Sequence, residues 1–165
     1  MRGLVRPGAS GSILSGMNLN DYLISQPGKD WPRLLHDWIP PLPAACTVWL
    51  VNRLGEVIVV ADDKTVLMLD VGAGTVAEVA RSREHFARLL DTANNADNLL
   101  RISLVNACRR AGMNLGPNEC YSFKVPPPLG GKYEVTNLTP TELSVHYSFM
   151  AYVHKQQDIY WVPEG

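Results

Sequence analysis

Apolar residues recur at two periods along this chain, and the period changes at identifiable places. Trp31, Leu34, Leu35 and Trp38 stand at i, i+3, i+4 and i+7, the one-sided spacing of an amphipathic helix. Asp30 precedes them as a cap, Pro32 falls in the first turn where its missing N–H is not needed, and Pro40-Pro41 stop the run. A short helical turn is expected at Asn20-Asp21. Residues 47–52 (TVWLVN), 56–61 (EVIVVA) and 65–70 (TVLMLD) then have the β-branched, apolar make-up of strands. Residues 53–55 and 62–64 separate them and are of hairpin size. Residues 71–74 (VGAG) form a third such connection, returning through residues 75–80. The pattern predicts a four-stranded antiparallel meander.

Beyond residue 80 the helical period returns. Ser82 is the N-cap candidate of a helix with Phe86, Leu89 and Leu90 on one face. Residues 94–98 are polar and read as a turn. Leu99, Leu100, Ile102, Leu104, Val105 and Cys108 mark a longer helix, with Gly112 just past its end. Residues 120–123 read as a strand, and 126–131 (PPPLGG) as a stiff polyproline segment that turns at the glycines. Residues 132–137 alternate as a further strand. Leu143, His146, Tyr147, Met150, Val153 and His154 predict a last helix over residues 141–156, with residues 159–162 as a terminal strand. The expected fold is a single α+β domain, an antiparallel β meander packed with three to four helices.

The run VLMLDVGAGT, residues 66–75, resembles the first motif of S-adenosylmethionine-dependent methyltransferases. That motif needs a parallel strand, a further glycine and a following helix. Here Thr75 and Val76 occupy the glycine's place, and Asp91, the acidic residue at about the right distance, falls at a predicted helix end. Only 95 residues follow Asp70, too few for several more βαβ units of roughly 30 residues each. A glycine turn between antiparallel strands is the better reading.

Composition narrows the function classes. The chain has 165 residues, 46% of them apolar, and a formal net charge of -1, which gives no global signal for direct nucleic-acid or membrane-surface binding. No uninterrupted apolar run approaches the roughly 18 residues of a spanning helix. Cys46, Cys108 and Cys120 are an odd set without metal-ligand spacing; one disulfide stays open, and three reduced thiols in a cytosol is the simpler reading. Residues 1–16 (MRGLVRPGASGSILSG) lack a secretory apolar core and are expected to be a disordered tail or a start-site artefact, with residues 17–165 as the domain. Without Arg2 and Arg6 the body carries 13 basic against 16 acidic side chains, a mild acidity suited to a basic partner.

One combination of segments carries a family resemblance. It runs from Trp49-Leu50-Val51-Asn52-Arg53-Leu54-Gly55-Glu56 through Val66-Leu67-Met68-Leu69-Asp70 and the helix after Ser82. It continues in Leu115-Gly116-Pro117, Tyr121, Phe123, Pro127, Leu129, Gly130 and Gly131, with Asn137 six residues later. This resembles the C-terminal domain of type VI secretion immunity proteins, long catalogued as a bacterial domain of unknown function. The resemblance implies an α+β binding module in the cytosol, without catalytic residues or cofactor, that occupies a cognate toxin, typically a nuclease. It implies a structural role for the motif residues.

Leu129-Gly130-Gly131 could cradle a phosphate, but Lys132-Tyr133-Glu134-Val135 follows where a phosphate loop needs a helix. His146 and His154, about 12 Å apart by helical rise, are too distant to share a metal, and His36 and His85 have no partner at ligand spacing; all four are expected to be exposed or at the core's edge. Cys120 reads as a buried, inert thiol. Trp31 and Trp38 share a core face, whereas Tyr160 and Trp161 are candidates for a partner or homodimer surface. The alternative to a binding module is a small hydrolase or nucleotide-binding enzyme with a pocket near Gly130, Cys120 and His146.

Overall fold

The structure, a computed structural model, describes residues 17–160, and side chains as far as residue 157. The expected tail over residues 1–16 and the interface candidate Trp161 lie outside the described residues. Within them the chain is one α+β domain. The predicted meander is present: β1 (Cys46–Val51), β2 (Val57–Ala61), β3 (Val66–Asp70) and β4 (Thr75–Ala80) pair antiparallel in the order β1-β2-β3-β4. Val57 faces Leu69 and Val60 faces Val66 across β2 and β3. Four successive β2 residues are buried, so the sheet is covered on both faces at its centre. The Gly72–Gly74 stretch joins β3 to β4, with Asp70 facing Thr75, as a turn between antiparallel strands requires. Gly74 has φ +74°, a conformation L side chains rarely adopt.

Helices follow. Ser82 caps α2 (Arg83–Leu89) by accepting the His85 amide at 3.1 Å. The single helix expected around residues 99–108 is two: α3 (Ala93–Leu100) and α4 (Ile102–Arg110), broken at Arg101, which takes φ +54°. The turn expected over residues 94–98 is part of α3; burial of Ala96 and Leu100 outweighs the weak helix propensity of its asparagines. The helix expected from Trp31 to Trp38 is α1 (Trp31–Leu34), with Asp30 accepting the Arg33 amide, followed by a 3₁₀ turn, His36–Trp38. Both tryptophans are buried as expected.

The second sheet pairs β5 (Glu119–Phe123) with β6 (Leu138–Glu142). The strand expected over residues 132–137 is not formed; those residues finish a loop, and the strand starts one residue after them. Pro140, opposite Tyr121, is tolerated because this is an edge pair. β6 takes up residues 141 and 142, so α5 (Leu143–Tyr160) starts later than expected. It also runs further, through Ile159 and Tyr160, which were expected in a terminal strand. No helix among the described residues is long and apolar enough to cross a membrane.

Candidate functional site

A largely buried polar cluster ties four parts of the chain together. The β1–β2 turn is organised by Asn52, whose Oδ1 accepts the Leu54 and Glu56 amides at 3.1 Å. Its Nδ2 donates to Glu56 Oε1 at 2.7 Å and to the Leu99 carbonyl at 3.1 Å. Glu56, 2% exposed, receives both Arg101 Nε (2.9 Å) and a terminal guanidinium nitrogen (2.8 Å). Burial alone would lower the Arg101 pKa, but the hydrogen bonds and charge of Glu56 outweigh it and raise the pKa above the ordinary value. The same guanidinium lies 3.9 Å from Asp70 and 4.6 Å over the Tyr133 ring, whose hydroxyl donates to Asp70 at 3.3 Å. Every charge in the cluster has a partner, so the cluster clasps these segments together. Sequence spacing does not reveal it, because its members come from separate turns and helix ends.

The residues of the enzyme alternative are partly brought together. A Cβ built on Gly55 would stand 3.0 Å from His146 Nε2 and 3.4 Å from Cys120 Sγ, so the two side chains converge on that turn. Both are fully buried. His146 was expected to be exposed or at the core's edge; instead its Nδ1 lies 2.6 Å from Ser122 Oγ inside the core. Burial lowers its pKa to about 4, the nearby Leu54 backbone pulling weakly the other way, and Nε2 makes no well-formed hydrogen bond. Burial likewise raises the Cys120 thiol, so the reactive thiolate is suppressed. Gly130 stands on an exposed loop. Among the described residues, clefts of about 420, 450 and 410 Å³ mark the surface, and none of these three is lined by Cys120, His146 or Gly130. Of the other histidines, His36 is exposed and His154 is half-buried, with Nε2 2.9 Å from the Val71 carbonyl.

The motif residues build the loop between β5 and β6. Pro127–Leu129 form a 3₁₀ turn in place of the expected polyproline crossing, closed by the Leu129 and Gly131 amides donating to the Pro126 carbonyl. Asn137 pins the loop: Nδ2 donates to the Val125 and Lys132 carbonyls and Oδ1 accepts the Val125 amide, all at 2.9 Å. At Gly131 a Cβ would stand 1.6 Å from the Val125 carbonyl oxygen, so only glycine fits. Phe123 packs edge-on to Tyr133 at 5.1 Å, and the Tyr121 hydroxyl donates to the Met113 carbonyl at 2.6 Å. Leu129 is held outward, exposed to solvent. The interface candidate Tyr160 falls in the last turn of α5.

Comparison with known families finds a likeness over this part of the molecule. Residues 80–154, just under half of the chain, match the family model described as T6SS immunity protein Tdi1, C-terminal. The resemblance seen in the sequence therefore holds from the end of β4 to α5, while the segments around Asn52 and Asp70 that also carried it lie outside the match. No curated protein matches the chain.

Proposed function

We propose that the chain is a non-catalytic binding protein of the type VI secretion immunity kind, which neutralises a cognate toxin by occluding it. The family match over residues 80–154 carries this reading. Burial of Cys120 and His146 supports it, because neither can meet a substrate without unfolding the core. A nuclease is the toxin class the resemblance implies, and three free cysteines suit a reducing cytosol. The test is co-purification of the full chain from its native cells, followed by expression of the recovered protein alone and together with it. A one-to-one partner that is toxic alone and harmless when co-expressed is the expected result. Full-length chain that recovers no such protein and protects against none overturns the reading.

A further inference from the structure

Six large apolar side chains are exposed among the described residues, and five of them sit on two touching elements. Val125 and Leu129 come from the pinned loop, and Val145, Phe149 and Tyr152 from α5; all five are between 43 and 60% exposed. The three on α5 stand at i, i+4 and i+7, on the side opposite Leu143, His146, Tyr147 and Met150, which are buried. α5 is thus apolar on both sides, a pattern expected of a helix covered on both. Loop and helix are also held firmly, by the three Asn137 hydrogen bonds and by burial of the helix's inner side.

We infer that this face is where the toxin docks, with Phe149 and Tyr152 as its anchors and an apolar concavity on the partner as its counterpart. The inference rests on the immunity reading above. Two observations point to this occupant. The face lies wholly within the segment that matches the immunity family, residues 80–154. Its size also fits: five half-exposed side chains offer roughly 500 Å², the apolar share of a standard interface of about 800 Å² per partner. At the apolar share of roughly 65% found in homodimer interfaces it corresponds to about 770 Å² per partner, short of the about 1,000 Å² at which stable homodimers begin. Exposed charges next to it in sequence nearly balance, Lys124, Lys132 and Lys155 against Glu134 and Glu142, and Lys155 already lies 3.7 Å from Asp37, so the contact is led by apolar burial and not by charge.

The experiment uses the full chain and the co-purifying toxic protein as probe, with sedimentation of the chain alone. Wild-type protein is expected to sediment as a monomer. Phe149→Glu and Tyr152→Glu are each expected to weaken toxin binding by about 100-fold while keeping the wild-type melting temperature. Tyr152→Ala replaces either variant whose melting temperature falls. Arg33→Ser, in the polar cleft beside Glu142 and Ser144, is expected to bind as wild type. Variants at 149 and 152 that bind the toxin as wild type overturn the docking face and leave the immunity reading intact. A wild-type dimer that Phe149→Glu splits assigns the face to a second copy and overturns the inference. Wild-type protein that binds no toxin overturns both readings.

Discussion

Arg101 holds a left-handed backbone conformation that costs a side-chain-bearing residue about 1 kcal/mol or more, and its guanidinium explains why. From that bend it closes on Glu56 with two hydrogen bonds and stacks on Tyr133. Removing one member of a buried pair leaves the other charge uncompensated, so Arg101→Leu is expected to destabilise the fold by about 3 kcal/mol. Urea denaturation measures this, and a loss below about 1 kcal/mol would mean that water already solvates Glu56. Gly55 makes a similar demand: φ +78° and His146 3.0 Å from a built Cβ predict a loss of about 2 kcal/mol for Gly55→Ala. His146 sets a pH dependence. Its folded pKa of about 4 lies below the ordinary 6.5, so the unfolded chain takes up the proton first. Stability should be complete above about pH 6.5 and fall toward pH 4, by no more than about 3 kcal/mol from this group. His146→Gln should flatten that part of the stability curve; an unchanged slope would assign the acid sensitivity to other groups.

At the scale of elements, the meander was legible because each signal agreed with the next: β-branched runs, hairpin-sized gaps and small turn residues. The region from 93 to 142 was not, for two physical reasons. The break between α3 and α4 falls at Arg101, whose side chain reaches Glu56, 45 positions away, a contact that no local periodicity records. The alternation of residues 132–137 is genuine, yet Asn137 draws that stretch back onto Val125 and Lys132, and the strand begins at Leu138 instead. Asn137 was legible as a motif residue; its three hydrogen bonds were not. Asn137→Ala should therefore loosen the loop without unfolding the domain, at a cost of about 2 kcal/mol. Hydrogen exchange at the Val125 amide should rise at least about tenfold; unchanged exchange would show that the 3₁₀ turn holds the loop by itself.

At the scale of the whole molecule, Cys120 and His146 are separated from the exposed surface, whereas Gly130, the third residue of the enzyme alternative, stands on the exposed loop beside Leu129. Cys120 and His146 converge, as an active site would require, but do so inside the core, under the β1–β2 turn. The exposed apolar surface was invisible to spacing alone, because Val145, Phe149 and Tyr152 share a helix with buried residues and the periodicity reports only that both sets exist. Burial tells which set faces inward. Sequence patterning thus located α5 and its inner side, and the fold was needed to show that the other side is left uncovered.

Several bonds cross from the first half of the chain to the last helix. The Tyr147 hydroxyl donates to the Gly55 carbonyl at 2.7 Å, Trp38 Nε1 donates to the Tyr147 carbonyl at 3.0 Å, and His154 meets Val71. The boundary at which family likeness begins, residue 80, is therefore not a boundary at which the protein can be cut. Recombination or truncation there would strand α5 without the turns that receive its side chains. A fragment starting at residue 80 should show no cooperative melting transition, and supplying residues 17–79 as a separate chain should restore one. Sequence likeness and the hydrogen-bond network divide the same polypeptide at different places: the matched segment starts at residue 80, and the bonds that hold its last helix reach back to Trp38.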